Sequence, residues 1–277
     1  MTINNLFGIG RKIIINIAGI LLSITSTDVE VLRFLNPLYK LFLTSGDQFN
    51  TYQLGIFIRE NQSDSTPEID SHPKVVFFID KITLNFTTGR LIFDLLNRTG
   101  ELITSGENLA LELEYCLRIL FGYFVLQKGG LLIHGAGIAR QNNGYIFLGP
   151  SGVGKSTVSR LSGNFILLND DLTVILPDHD GTWKIFSTPF ANPGQRIQII
   201  SVPLRGMYLL EQSDMVRLEK LFLGKAISEI IANIPVITGN FFLADQVIST
   251  CLKLLQKIPI FKLSFMKDPS FWDVILQ

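Results

Sequence analysis

Short apolar runs separated by polar turns make up the first hundred residues of the chain. Residues 13–17 and 20–25 are apolar runs on either side of Ala18-Gly19, which predicts two strands joined by a tight turn. Asp28 is of a residue type that caps helices, so a helix is predicted over residues 29–35. Further strands are predicted at residues 53–59, 75–79, 82–86 and 91–95, and an exposed loop at residues 60–73. These elements predict a β-rich N-terminal domain.

The pattern changes near residue 105. Residues 107–127 carry apolar side chains at helical spacing, and Gly129-Gly130 ends the predicted helix. Strands and helices then alternate, which is typical of an α/β fold. Strands are predicted at residues 131–139, 145–148, 164–168, 172–176, 259–265 and 271–276, and helices at residues 156–161, 225–232 and 241–257. We therefore divide the chain into a β-rich domain, residues 1–105, and an α/β domain, residues 106–277.

Composition narrows the classes of partner. The chain of 277 residues is 47% hydrophobic, and its 24 basic residues balance 24 acidic ones, so the net charge is zero. Because neither an excess nor a cluster of positive charge is present, we expect no nucleic acid and no membrane as a partner. Cys116 and Cys251 lie in apolar helical stretches and are predicted to be buried free thiols, which suits a reducing compartment.

One segment carries a strong chemical signal. Residues 149–156 read Gly-Pro-Ser-Gly-Val-Gly-Lys-Ser and fit the pattern G-x-x-x-x-G-K-[ST] between a predicted strand and a predicted helix. Such glycines let backbone N–H groups point at a phosphate, and the start of the helix adds a favourable dipole. Lys155 would reach the outer phosphates of ATP, and the Ser156 hydroxyl would ligate Mg²⁺. The predicted nucleotide-binding residues are Gly149, Pro150, Ser151, Gly152, Val153, Gly154, Lys155, Ser156 and Thr157.

Polar residues flank this segment on the neighbouring predicted strands. Asp170 and Asp171, the acidic pair, follow the next strand along the chain, and burying two carboxylates is costly unless a cation or a donor pairs with them. Mg²⁺ is the natural partner, and an exposed Asn-Asp-Asp turn is the alternative. His134 lies in the preceding strand, just before Gly135, either as a core residue or as part of the site.

Three segments together resemble the catalytic core of the HPr serine kinases and of their relatives in peptide-modification gene clusters, including lasso-peptide kinases. They are Ile133-His134-Gly135, residues 149–156 and Leu168-Asn-Asp-Asp171, and the resemblance spans residues 130–215. It implies a phosphoenolpyruvate-carboxykinase-like P-loop fold for the α/β domain. It also implies catalytic roles for Asp170 as general base, for His134 as the residue that orients the pair, and for Lys155. Asp171 would join Ser156 in holding Mg²⁺, and the roles of the two aspartates stay open to exchange.

The resemblance breaks down at one place. HPr kinases carry Glu-x-Arg-Gly before a glycine-rich strand, whereas this chain has Pro203-Leu-Arg-Gly206. The metal-linked glutamate is missing, which argues against HPr itself as the substrate. Residues 188–195 resemble a Thr-Pro loop of the peptide-kinase relatives, and are either a bare turn or a lip beside the substrate. Arg196 and Arg205 are weaker candidates for phosphate contact.

We therefore predict an ATP- and Mg²⁺-dependent kinase that transfers phosphate to a hydroxyl, with a serine of a peptide or protein as the expected acceptor. A nucleotide-binding regulatory or assembly protein with little catalysis and a small-molecule kinase are the alternatives. Pyrophosphate as the phosphate donor and a homo-oligomeric state also stay open. Residues 13–24 follow Arg11-Lys12 in the manner of a signal peptide, but the run is too short to span a bilayer, and use of ATP favours the cytoplasm.

Overall fold

A computed structural model describes residues 11–45, 51–59, 73–192, 194–195, 197–235 and 241–277. Within these residues the chain is a mixed α/β protein with two β-sheets, so the predicted α/β class is confirmed. It falls into two compact units, Met1–Leu120 and Phe121–Gln277. The predicted loop at residues 60–73 lies outside the described residues except for Pro73.

The first unit is built on a seven-stranded sheet, counted over the part of the chain that the structure describes, in the order β1-β2-β3-β7-β6-β5-β4. Its strands are β1 (Arg11–Ile17), β2 (Ile20–Ser26), β3 (Tyr52–Ile58), β4 (Lys74–Phe77), β5 (Lys81–Asn85), β6 (Gly89–Asp94) and β7 (Thr99–Thr104). Its helices are α1 (Val29–Tyr39) and the first part of α2 (Leu109–Gln127). The elements predicted before residue 96 are confirmed within a few residues, while β7 was not predicted.

Local chemistry explains why the early predictions held. Ala18 and Gly19 have φ angles of 53° and 77°, which form the tight turn between β1 and β2. The Asp28 carboxylate accepts a hydrogen bond of 2.8 Å from the Glu30 N–H and so caps α1. By contrast, β7 has the sequence TGELIT, whose two adjacent apolar residues give too short a run to stand out.

The second unit contains the remaining elements in the described part of the chain. Its strands are β8 (Leu131–Arg140), β9 (Asn143–Leu148), β10 (Ile166–Asn169), β11 (Leu172–Pro177), β12 (Trp183–Phe186), β13 (Ser201–Gln212), β14 (Arg217–Lys220) and β15 (Ile260–Phe265). Its helices are the end of α2, α3 (Lys155–Leu161), α4 (Leu223–Ala232), α5 (Phe241–Leu255) and α6 (Phe271–Ile275). The strand order is β10-β8-β11-β12-β13-β15-β14, and β9 pairs with both β8 and β13.

Two long strands connect the layers of the second unit. Residues 131–134 of β8 pair with β11, and residues 135–140 of the same strand pair with β9. Similarly, residues 201–203 of β13 pair with β12, whereas its later residues pair with β9 and β15. β10 pairs with residues 137–139 of β8 in the same register as β11 does further along, so β10 and β11 follow one another along one edge of β8 and β9 lies along the other. His134, opposite Leu172, therefore lies where the partner of β8 on the first edge changes from β11 to β10.

Three parallel strands end at one edge of this sheet. β13 runs parallel to β9, with Leu209 opposite Leu148, and parallel to β15, with Gln212 opposite Phe265. The carboxyl ends of β9, β13 and β15 therefore meet at the same edge. In α/β proteins this is the edge where ligands bind.

One sequence prediction in this unit is wrong. Residues 271–276 were predicted as a strand but form helix α6. The Asp268 carboxylate accepts a hydrogen bond of 2.9 Å from the Ser270 N–H, which forms a turn just ahead of the helix. The buried side chains of Phe271 and Trp272 pack on Phe147, so tertiary packing overrides the local pattern.

Three strands of the second unit were not predicted: β12, β13 and β14. β13 contains Pro203 and Gly206, residue types that are depleted in strand interiors. Its pairing with β9 on one side and with β12 and β15 on the other overrides that local preference.

The two cysteines are buried and free, as predicted. Burial raises the pKa of the Cys251 thiol to about 12 and that of the Cys116 thiol well above its ordinary value. Across the described ranges, none of the helices is both long enough and apolar enough to cross a membrane.

Candidate functional site

The loop at residues 149–156 joins the carboxyl end of β9 to the start of α3. Gly149, Gly152 and Gly154 have φ angles of 139°, 80° and 122°, a region that side-chain-bearing residues rarely adopt. A Cβ on Gly154 would lie 2.6 Å from the Phe265 Cζ, whereas one on Gly152 would meet nothing within 4 Å. Glycine is thus required at Gly154 by both conformation and packing.

The Lys155 side chain is buried and folds back over this loop. Its Nζ donates hydrogen bonds to the carbonyl oxygens of Gly149, at 2.6 Å, and Pro150, at 3.1 Å. Burial lowers the pKa of Lys155, and the attraction of the Asp171 carboxylate partly opposes that change. The loop therefore holds a poorly solvated positive charge at its centre.

The other predicted nucleotide-binding residues differ in their access to solvent. Pro150, Ser151 and Ser156 are exposed, and Val153 and Thr157 are half-buried. Ser156 is the second residue of α3, directly after Lys155. Its hydroxyl is accordingly accessible to a ligand that reaches the loop.

The acidic pair lies in the turn between β10 and β11, and its two members face different surroundings. Asp171 is 17% exposed, and its Oδ1 lies 3.0 Å from the Nε2 of His134, which is 39% exposed. The backbone supports this contact, because the Gly135 N–H donates to the Asp171 carbonyl oxygen at 2.8 Å. Asp171 and His134, which we call the Asp171–His134 pair, are thus held together on the side of β9 where β8 lies.

Asp170 is only 4% exposed and is bonded to the segment that follows β12. Its Oδ1 accepts a hydrogen bond of 3.0 Å from the Asn192 N–H, and its Oδ2 accepts one of 2.9 Å from the Asn192 Nδ2. Both carboxylate oxygens are therefore engaged by one residue of the Thr-Pro loop. Asp170, predicted as the general base, is thus the buried and bonded member of the pair, and Asp171 is the member whose charge acts on Lys155.

Sequence reasoning missed the residues that hold this turn together. The Asn169 Nδ2 donates to the Thr188 carbonyl oxygen and Oγ1 at 3.0 and 2.9 Å, and its Oδ1 accepts from the N–H groups of Asp171 and Leu172 at 2.7 and 2.9 Å. The Thr188 Oγ1 donates to the Leu172 carbonyl oxygen at 2.5 Å. The available signal was the Asn before the acidic pair and the Thr-Pro dipeptide, but their pairing across 19 residues is not visible in the sequence.

Of the two arginine candidates, Arg205 lies away from the site. The Arg205 Nε donates to the Asn143 Oδ1 at 2.7 Å, at the amino end of β9, whereas the loop at residues 149–156 follows its carboxyl end. Arg196 lies outside the described residues. Across the described chain, no three His, Cys, Asp or Glu side chains cluster as a metal-binding group.

On the other side of the loop, β13 and β15 contribute side chains. The Gln212 Nε2 donates to the carbonyl oxygens of Val153 and Gly152 at 3.2 and 3.4 Å. The Phe265 ring lies against Gly154, because a Cβ added to Gly154 would lie only 2.6 Å from the ring. The loop is thus supported from the neighbouring strand ends as well as by its own residues.

The chain matches a known protein family over more than half of its length. A family model described as ScmC, SynChlorMet cassette protein ScmC, matches residues 104–277. The matched segment includes His134, the loop at residues 149–156 and the acidic pair. The comparison with curated proteins gives no match.

Proposed function

The chain belongs to the SynChlorMet cassette protein ScmC family, and we propose that it is an ATP- and Mg²⁺-dependent, HPr-kinase-like enzyme that transfers phosphate to a hydroxyl. One observation carries the proposal. Lys155 is buried in a loop of three positive-φ glycines, and the Asp171–His134 pair lies close enough to attract its charge. Phosphoryl transfer needs such a cation for the phosphate and such a carboxylate for the acceptor hydroxyl.

The loop at residues 149–156 supplies the phosphate-binding part of this function. Its glycine conformations are those in which successive backbone N–H groups can point at an anion. Lys155 now satisfies its donors on two carbonyl oxygens of its own loop, and a phosphate would offer stronger, charge-assisted acceptors. Burial favours the replacement of the carbonyl acceptors by phosphate oxygens. A poorly solvated ammonium group is stabilised more by an anion than an exposed ammonium group is.

We assign the proton-accepting role to Asp171. Its carboxylate is partly exposed and is oriented by the 3.0 Å contact with His134. It also attracts the positive charge of Lys155. Asp170 is nearly inaccessible, and Asn192 occupies both of its oxygens. A general base must reach the hydroxyl whose proton it takes, so Asp170 is better suited to holding the Thr-Pro loop in place.

The residues present also fit a magnesium ion. The exposed Ser156 hydroxyl is a hard oxygen donor of the kind that Mg²⁺ takes, with phosphates and water as further ligands. Bound Mg²⁺ would neutralise part of the phosphate charge.

The acceptor that the resemblance supports is a serine of a peptide or protein. The peptide-kinase relatives that the sequence resembles work in gene clusters, and a family described as a cassette protein suits such a setting. The lip at residues 188–195 supports this reading, because Asn192 fixes it beside the acidic pair. A cytoplasmic location, where ATP is available, belongs to the same proposal.

Phosphate transfer from γ-labelled ATP tests the function directly. The full-length protein is incubated with Mg²⁺, labelled ATP and serine-containing peptides, and phosphopeptide and ADP are measured by mass spectrometry. We expect Asp171→Asn to lower transfer by roughly 10²- to 10⁴-fold while nucleotide binding survives, since the base acts only during the chemical step. Asp180→Asn, a change of the same kind in the exposed turn after β11, is the matched control and should leave transfer unchanged.

The outcomes separate the candidate functions. Transfer that is undiminished in Asp171→Asn but lost in Asp170→Asn would reverse our assignment of the base. Nucleotide binding without any transfer, to peptides or to water, would favour a regulatory or assembly protein. No nucleotide binding at all would remove the basis for the proposal.

A further inference from the structure

A cavity of about 660 Å³ lies beside the loop at residues 149–156. It is lined by residues 212–214, which follow β13, and residues 265–268, which follow β15. Because β13 and β15 run parallel to β9, the cavity lies at the same carboxyl edge of the sheet as the loop. Its volume falls in the range of small-molecule sites, roughly 300 to 1,000 Å³.

Two residues of the cavity wall also contact the loop. Gln212 donates hydrogen bonds to the loop carbonyl oxygens of Gly152 and Val153, and the Phe265 ring lies against Gly154. A ligand that fills the cavity and one that lies on the loop would therefore be neighbours. A single molecule could therefore place a phosphate group on the loop and the rest of its structure in the cavity.

The cavity and the Asp171–His134 pair lie on opposite sides of β9. β9 is bordered by β8, which carries His134, on one side and by β13, which ends at the cavity, on the other. A phosphate chain on the loop has its reacting end near Lys155 and Asp171. Its other end then points across β9 toward the cavity, so the acceptor and the remainder of the donor approach from different sides.

We propose that this cavity is the nucleoside subsite, which makes a nucleoside triphosphate rather than inorganic pyrophosphate the phosphate donor. The inference rests on the proposed function and adds the part of the donor that the loop does not bind. The Phe265 ring edge and the Met266 thioether offer apolar contact for a base. The carboxylates of Asp214 and Asp268 are acceptors for ribose hydroxyl groups.

The charges of the cavity agree with this orientation. Two carboxylates, Asp214 and Asp268, and one ammonium group, Lys267, line the cavity, so its net charge is negative and disfavours phosphates. Lys155 in the loop attracts them, so a nucleotide is favoured in one direction. Asp268 is already fixed, because its Oδ1 accepts hydrogen bonds from the N–H and the hydroxyl of Ser270. An acceptor held in place before binding costs less ordering when the ligand arrives.

Binding of Mg²⁺-ATP and of Mg²⁺-tripolyphosphate to the full chain, measured by calorimetry, tests the inference. Tripolyphosphate has the phosphates of ATP without the nucleoside. We expect ATP to bind at least about tenfold more tightly. Met266→Trp, which fills the cavity from a side chain that is 36% exposed, should remove this preference and leave tripolyphosphate binding unchanged. Met215→Trp is the matched control, since Met215 is 71% exposed and does not line the cavity.

The wild-type protein alone can overturn the inference, so the result does not depend on whether a variant folds. Equal affinity for ATP and tripolyphosphate would show that no nucleoside subsite exists, while the proposed phosphate-binding role of the loop would stand. A preference for ATP that Met266→Trp retains would place the nucleoside elsewhere. Binding of neither compound would instead remove the proposed function.

Discussion

Two opposing electrostatic effects act on the pKa of Lys155. Burial disfavours its charged form and lowers its pKa, and the Asp171 carboxylate favours the charged form. The lowered pKa means that burial is the larger of the two effects. A bound polyphosphate adds several negative charges at short range and must raise the pKa again.

This linkage predicts proton uptake on nucleotide binding in alkaline solution. Between the lowered pKa of the free protein and the raised pKa of the complex, Lys155 is less protonated before binding than after it, so binding takes up a proton and weakens as the pH rises. Calorimetry at about pH 9, below the ordinary lysine value near 10.4, in two buffers of different ionisation enthalpy measures the uptake.

Two variants show whether Lys155 is the source of this proton. Lys155→Arg keeps a charge that does not titrate in this range and should bind without uptake. Lys253→Gln, at an exposed position in α5, should keep the uptake of the wild type. Uptake that persists in Lys155→Arg would assign it to another group.

At the scale of elements, the turn between β10 and β11 depends on buried hydrogen bonds between distant segments. Asn169 and Thr188 are fully buried, and they join the turn to the segment after β12. Asp170 and Asn192 make a second connection a few residues further on. Together they fix the turn, in which Asp170 is bonded to Asn192 and Asp171 contacts His134.

Two valine substitutions in fully buried threonines test the energetic weight of this network. The Thr188 Oγ1 bonds to Asn169 and Leu172, and its removal leaves buried partners unsatisfied, so Thr188→Val should lower the free energy of unfolding by about 1–3 kcal/mol. The Thr173 Oγ1 has no hydrogen-bond partner among the described residues, so Thr173→Val should be neutral or stabilising. Chemical denaturation measures both.

The two variants can be compared directly because each replaces a threonine hydroxyl by a methyl group at a fully buried site of the second unit. Equal losses of stability in both would show that the loss reflects shape rather than hydrogen bonding. In that case the network would not explain how the acidic turn is held.

At the scale of the whole molecule, the candidate site lies entirely within the second unit. The loop, the acidic pair, His134 and the cavity all lie between residues 121 and 277. Both tryptophans of the chain, Trp183 and Trp272, are buried in this unit. Trp272 packs on Phe147 of β9, the strand that leads into the loop, so tryptophan fluorescence reports on the unit that contains the site.

We therefore expect Mg²⁺-ATP to raise the temperature of the unfolding transition detected by tryptophan fluorescence. A ligand that binds only the native state at about 100 times its Kd stabilises that state by about 2.7 kcal/mol. Lys155→Met, which removes the charge in the loop, should abolish the shift. An unchanged transition at saturating nucleotide would contradict binding to this unit.

Much of the candidate site could be predicted from the sequence because its signals are local. The three glycines, Lys155 and Ser156 lie within eight consecutive positions, and the positive φ angles of the glycines follow from the lack of a side chain. The Asp28 cap and the Ala18-Gly19 turn were predictable for the same reason. A conformation that is set by residues adjacent in the sequence can be predicted from the sequence.

Long-range pairing decided the rest. Only the fold shows that Asn192 binds Asp170 across 22 residues, which leaves Asp171 to face His134 and Lys155. β13 forms despite Pro203 and Gly206 because its neighbours pair with it on both sides. The sequence by itself thus determined that a glycine-rich loop with a lysine and two adjacent carboxylates are present, and local conformational preference set the backbone of that loop. The tertiary structure alone decided which carboxylate faces the loop and that a cavity lies beside it, because contacts between distant segments fix both.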